Sequence, residues 1–152
     1  MNKHDRGGRS ERSSNPGQQI TLPKFESIWI SEGIKHAAIE YAEALGTLLK
    51  NQNFTTSQIR NFFGELKRIQ LKGIAGEQAS FHLLRPKLAY AAARAKKTGG
   101  RESIGAETFK NAILEAHREV DIDNEGYEKR FANFCDLIEA ILAFHKAAGG
   151  KD

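Results

Sequence analysis

The sequence LRPKLAYAAARAKK, residues 84–97, carries an apolar stripe and a basic stripe on one short segment. At about 100° per residue on a helix, four apolar side chains fall on one side, namely Leu88, Ala91, Ala92 and Ala95. The opposite side carries Lys87, Tyr90, Arg94 and Lys97. The pattern predicts a helix that packs one face against a core and presents a basic face to a partner.

Pro86 allows two positions for the start of this helix. Pro86 can be the first helical residue, where its missing N–H costs no hydrogen bond. Alternatively, it lies inside a longer helix that begins near Glu77, because Phe81 and Leu84 continue the apolar spacing. The sequence leaves both alternatives open.

Apolar residues at helical spacing occur on both sides of this segment. They predict helices over about 31–50, from Thr55 to the interruption at Gly73, over about 105–120, and over 127–147. Thr55 and Gln58 stand in the relation of a capping box, which marks a helix start. No segment alternates polar and apolar residues with period two. We therefore predict an all-α, single-domain bundle of about five helices over residues 24–150.

Residues 1–23 have the composition of a disordered basic arm. They include four Lys or Arg residues up to Arg12, and Ile20 is the one large apolar residue between Met1 and Leu22. Such a segment cannot bury enough surface to order itself. It lacks the apolar core of a signal peptide, and no later stretch approaches the roughly 20 apolar residues that span a bilayer. We expect a soluble, cytoplasmic protein that does not associate with membranes.

Few residue combinations suggest catalysis or a metal site. The single cysteine, Cys135, excludes an intramolecular disulfide and is predicted to be a small buried hydrophobe. A metal could bind His36 with Glu40, or His117 with Glu115 or Glu119, but neighbouring His and Glu residues are common on exposed helices. No Ser or Cys has a His and a carboxylate at a spacing that suggests a catalytic triad. We predict no cofactor, no metal and no enzymatic activity.

The acidic sequence DIDNEG, residues 121–126, resembles the opening of a calcium-binding loop. Gly126 occupies the required sixth position, but the twelfth position, where a bidentate carboxylate belongs, is Ala132. We therefore interpret the acidic side chains as charges that favour the N-terminus of the last helix.

Charge is distributed unevenly along the chain. Residues 55–97 hold nine Lys or Arg residues and two Glu residues, a net charge of +7. Residues 98–152 carry a net charge of −4, and residues 1–54 carry +1. This polarity is typical of a protein that holds a polyanion on one side and a protein partner on the other.

Three stretches, in this order in a small basic helical protein, carry a resemblance to a known family. They are TTSQIRNFFGELKRIQ from Thr55, LRPKLAYAAAR from Leu84 and FANFCDLIEAILAFHK from Phe131. Together they resemble the small subunit of type III-A CRISPR effector (Csm) complexes. The resemblance implies a non-catalytic subunit, present in several copies, that lies beside the backbone and large subunits and supports guide RNA paired with target RNA in antiviral defence.

The chemical properties of the basic stripe agree with this resemblance, because a basic helix face binds phosphate and sugar without recognising the bases. We predict that Tyr90 either stacks on RNA or packs in the core. The residues predicted to contact RNA phosphates are Arg60, Lys67, Arg68, Lys87, Arg94 and Lys97.

Two other functions compete with RNA binding. A helix-turn-helix regulator built from residues 55–97 is disfavoured, because the outer face of the basic helix lacks Asn, Gln or Ser for contacts to base edges. A helical protein-interaction module that binds no nucleic acid would be favoured by binding that ignores salt.

Overall fold

Six α-helices form most of the regular structure in the part of the chain that the structure describes. The computed structural model describes residues 20–98 and 102–150, excluding the side chains of residues 97–98 and 102–103. The helices are α1 (Ile28–Ser31), α2 (His36–Asn51), α3 (Thr56–Lys72), α4 (Gln78–Thr98), α5 (Glu102–Val120) and α6 (Tyr127–Ala147), with a 3-10 turn at Ile74–Gly76 between α3 and α4. These ranges contain no β-strand, so the all-α prediction is confirmed. Residues 1–19 of the predicted arm lie outside the described residues.

The first long helix begins later than predicted. The apolar spacing predicts a start near Ser31, but α2 begins at His36 and the one-turn helix α1 precedes it. The prediction is wrong at this end because Gly33 has a φ of 128°, which a right-handed helix cannot contain. Trp29 of α1 is buried, and its ring centroid lies 5.2 Å from that of Tyr41 in α2. The one-turn helix α1 therefore contributes buried side chains to the core, from a segment that the sequence identifies only as apolar.

Helix α6 lies at the centre of the bundle and packs against α1, α2, α3 and α5. Its inward side chains join one continuous apolar cluster that runs through the described helices. The fully buried members on α6 include Phe134, Leu137, Ile138 and Ile141. The contact with α2 is the closest, because Gly46 meets the α6 backbone. A Cβ atom at position 46 would lie 2.7 Å from the His145 backbone nitrogen.

Helix α3 begins with the predicted capping box. The Gln58 backbone N–H donates to Thr55 Oγ1 at 3.2 Å, and the Thr55 backbone N–H donates to Gln58 Oε1 at 2.9 Å. Two N–H groups that a helix start leaves without partners are thereby satisfied. Behind the cap, Ile59, Leu66 and Ile69 are buried at helical spacing. The start of α3 and its packing face are therefore set by local sequence.

Helix α4 runs through Pro86 without interruption, which decides between the two alternatives for its start. Phe81, Leu84 and Leu88 are buried on both sides of the proline, so one packing face continues past it. Pro86 has no N–H to donate to the His82 carbonyl four residues earlier. The neighbouring Phe81 carbonyl accepts a hydrogen bond of 2.8 Å from Nε2 of buried His117 in α5. The His117 ring also stacks on the Phe81 ring, with centroids 3.9 Å apart.

Candidate nucleic-acid interface

The outer face of α4 carries the central part of the predicted RNA-binding set. Leu83, Lys87, Tyr90 and Arg94 recur at spacings of three and four residues, so they share one side of the helix. Tyr90 is 66% exposed, which excludes the alternative that it packs in the core of this chain. The Arg94 guanidinium carbon lies 5.9 Å from the Tyr90 ring centroid. A cation and an exposed aromatic plane are thus neighbours on this face.

Lys87 and a further predicted cation, Arg68, meet at a carboxylate between α3 and α4. Glu65 accepts from Arg68 Nη2 at 2.9 Å and lies 3.6 Å from Lys87 Nζ. Arg68 also contacts Glu77 at 3.2 Å and Ser80 Oγ at 3.2 Å. Arg68 therefore joins α3 to the start of α4 and shares Glu65 with Lys87.

Both carboxyl groups of this cluster are held in their charged form. The pKa of Glu65 is lowered, chiefly by the hydrogen bond from Arg68 and further by the charges of Lys87 and Arg68. The pKa of Glu77 is lowered by the hydrogen bond from Ser80 and by Arg68. The pKa of Arg68 is raised by its hydrogen bonds and ion pairs with the same two carboxylates. Glu65 and Glu77 thus offset part of the positive charge at this end of the interface.

Two of the remaining predicted cations, Arg60 and Lys67, lie on another surface. Arg60 and Lys67 are exposed and seven residues apart, so they share the outer side of α3, whereas Arg68 lies about 100° further round. Lys67 Nζ lies 5.5 Å from the Phe63 ring centroid. The side chain of Lys97 lies outside the described residues. The structure therefore brings together Tyr90 with Arg94 and Lys87 with Arg68, and it places Arg60 and Lys67 on a separate side of α3.

A cavity of about 380 Å³ opens between α3, α4 and α5, next to the outer face of α4. Lys87, Glu65, Asn61 and Ala91 line it, together with buried apolar residues of α4 and α5 and the half-buried Phe62 of α3. The helical spacing predicts that Ala91 packs inward, but it is exposed at this cavity. The prediction is wrong because α3 and α4 stay apart there, which depends on tertiary packing. The two small residues Ala91 and Ala92 on α4 are the only sequence signal that could indicate this space.

The side chain of Arg130 binds the backbone of the acidic turn after α5. Arg130 donates to the backbone carbonyls of Val120 at 2.7 Å, Asp121 at 3.0 Å, Asn124 at 2.9 Å and Glu125 at 3.0 Å. Four backbone carbonyls at this turn therefore converge on one guanidinium group. The turn is therefore a structural feature organised by Arg130.

The histidines of the candidate metal-binding pairs lie on different helices, His36 on α2 and His117 on α5. His36 Nε2 lies 3.1 Å from Glu40 Oε2 on the exposed side of α2. His117 is buried, and burial lowers its pKa to about 4, so its neutral ring donates to Phe81. Residues 20–98 and 102–150 contain no group of three His, Cys, Asp or Glu residues that could hold a metal ion.

Two further expectations from the sequence concern the single cysteine and membrane-spanning helices. Cys135 is buried as predicted, and burial raises the pKa of its thiol to about 12. In the part of the chain that the structure describes, every helix is too short or too polar to cross a membrane.

Comparisons with known proteins identify the family. A model of the Csm2 type III-A family matches residues 35–151, which include α2 to α6 and the three stretches that carry the resemblance. No curated protein matches the chain, and no solved structure matches it. The family match spans well over half of the sequence. The chain therefore belongs to the Csm2 type III-A family, the small subunit of the type III-A CRISPR effector complex.

Proposed function

We propose that this small subunit is non-catalytic and binds the backbone of the guide RNA and of its duplex with target RNA. In doing so it stabilises the effector filament in antiviral defence. The observation that carries the proposal is the outer face of α4, where exposed Tyr90 lies between Lys87 and Arg94 in the segment of +7 net charge. Cations attract phosphates, and an exposed aromatic offers a stacking plane.

The residue types on this face favour backbone contacts over base reading. From Leu83 to Arg94 its members are a leucine, a lysine, a tyrosine and an arginine, with no amide side chain directed outward among them. Reading adenine in the major groove of DNA relies on paired hydrogen bonds from Asn or Gln side chains. A subunit that serves any guide sequence needs affinity that tolerates every sequence. The face thus supports the RNA scaffold over the helix-turn-helix regulator.

The opposite charge pattern supports protein partners on the C-terminal helices. Asp136 and Glu139 are exposed on α6, and the pKa of Asp136 is raised by partial burial and by the charge of Glu139. A basic surface of a backbone subunit, the large subunit or a neighbouring copy would relieve this repulsion. We propose that residues 24–150 act as one domain, with RNA on the α4 side and protein contacts on the α6 side.

The proposal is tested by neutralising the cations beside Tyr90. The double variant K87Q/R94Q should bind single-stranded RNA more weakly, and the slope of log affinity against log salt should fall by about 0.7 for each phosphate that the variant no longer neutralises. Lys129, an exposed lysine on α6, provides the control variant K129Q. Equal affinities and equal slopes for K87Q/R94Q and the unmodified protein would contradict the assignment.

A further inference from the structure

We infer that the cavity between α3, α4 and α5 receives an unpaired nucleobase of the RNA that lies along the outer face of α4. The inference rests on the proposed function and adds a base-binding site to it. Stacking and enclosure of a base tolerate many sequences, so the added site is compatible with a subunit that serves any guide.

The interior of the cavity is apolar and aromatic. Phe62 and Phe109 line it with their ring centroids 5.6 Å apart and their planes at 84°. Leu88 and Ala92 of α4 contribute aliphatic surface from the other side. The volume of about 380 Å³ lies at the small end of the range of roughly 300 to 1,000 Å³ for ligand pockets. A heteroaromatic ring is small enough to enter a space of this volume.

The side chains at the mouth of the cavity can form the hydrogen bonds that the edge of a base requires. Asn61 is exposed on α3 and lines the cavity, and its amide can both donate and accept. Glu65 lines the same rim, where Arg68 and Lys87 hold it in the charged form. Bases in unpaired RNA are recognised by hydrogen bonds to their edges and by contact of their faces with aromatic side chains. The cavity offers both kinds of contact.

Lys87 connects the cavity to the proposed phosphate path. It lines the cavity, its side chain is 59% exposed, and it precedes Tyr90 by three residues on the same face. A nucleotide whose base enters the cavity would therefore have its phosphate close to Lys87. The arrangement suits a ligand that combines a flat apolar ring with a negative charge.

The charge of the chain argues against its own N-terminal arm as the occupant. Residues 1–19 contain four Lys or Arg residues, and Met1 is their only large apolar side chain. The segment 55–97 that surrounds the cavity already carries a net charge of +7, so it repels this arm and attracts a polyanion.

The test compares normal and abasic RNA on two matched variants. Ala91 lines the cavity and is exposed, so A91F should fill the mouth; Ala93 is exposed on the same helix, does not line the cavity, and gives the control A93F. The probes are a short fluorescent oligoadenylate and the same oligonucleotide with abasic sites. The unmodified protein and A93F should bind oligoadenylate on the order of tenfold more tightly than abasic RNA. A91F should lose this difference and keep the salt slope.

The other outcomes separate the inference from the proposed function. Equal binding of both oligonucleotides by the unmodified protein would overturn the base site and leave the backbone proposal intact. A change in self-association of A91F by size exclusion, with discrimination between the RNAs retained, would assign the cavity to a side chain of a second copy and also overturn the inference. If the unmodified protein binds neither RNA, the proposed function fails. If A91F is unfolded in thermal melts, N61A provides the second variant, and it should weaken discrimination.

Discussion

Replacing Gly46 with alanine should destabilise the bundle, although alanine is the better helix former. Gly46 lies within α2, where it faces α6. An alanine Cβ would lie 2.7 Å from the His145 backbone nitrogen, 2.9 Å from Phe144 Cβ and 3.0 Å from the Ile141 carbonyl oxygen. Two of these three atoms belong to the α6 backbone. The clash can therefore be relieved only by moving the helices apart.

The size of the effect follows from two opposing terms. Overpacking of this kind costs about 1–3 kcal/mol, whereas replacing a helical glycine with alanine gains about 1 kcal/mol. The net loss for G46A should be about 1 kcal/mol. Gly64, in the middle of α3, provides the matched control because nothing lies within 4 Å of a Cβ built there. G64A should gain roughly 0.5–1 kcal/mol, since only the helix term applies.

Thermal unfolding followed by circular dichroism can measure the difference. At about 4 °C per kcal/mol for a chain of this size, the melting temperatures of G46A and G64A should differ by about 6–8 °C, with the unmodified protein between them. If G46A melts as high as G64A, α2 and α6 do not approach each other as closely as described.

Two further predictions concern charge. E65Q removes the carboxylate that Lys87 and Arg68 share, so RNA affinity should rise and the salt slope should steepen by about 0.7 for each additional phosphate bound. The free energy of unfolding should change by less than about 1 kcal/mol. Unchanged RNA affinity at low salt would mean that neither cation contacts RNA. Burial lowers the pKa of His117 from the ordinary 6.5 to about 4, so the unfolded chain takes up the proton first. Stability to urea should therefore be full above the unfolded pKa and fall by up to about 3 kcal/mol as the pH drops toward the folded pKa. H117Q should remove this part of the pH dependence, and equal urea midpoints for the unmodified protein at neutral pH and at about pH 4.5 would contradict the prediction.

Local signals in the sequence predict the helices well and their contacts poorly. The Thr55 and Gln58 cap, the apolar spacing and the acidic turn before Tyr127 are visible in the sequence because each depends on residues a few positions apart. The break between α1 and α2 at Gly33 and the path of α4 through Pro86 are set by backbone angles and by burial against other helices. Periodicity alone cannot decide them.

The candidate site likewise has features that the sequence predicts and features that depend on the packing of the helices. The spacing of Lys87, Tyr90 and Arg94 on one face follows from helix geometry, and the structure adds that Tyr90 is exposed. The pairing of Arg68 with Glu65 and Glu77 joins α3 to the start of α4, so a residue count along one helix cannot reveal it. The cavity between three helices likewise depends on how far apart they pack.

The most direct test of the central claim is the binding of the unmodified protein to nucleic acids over a salt series. The ligands are two unrelated single-stranded RNAs, an RNA duplex and a DNA duplex, in salt from about 50 to 200 mM. Recognition of the RNA backbone predicts similar affinities for the two RNA sequences, with a steep decrease as salt rises. Tight binding to one DNA sequence, or binding that ignores salt, would contradict it.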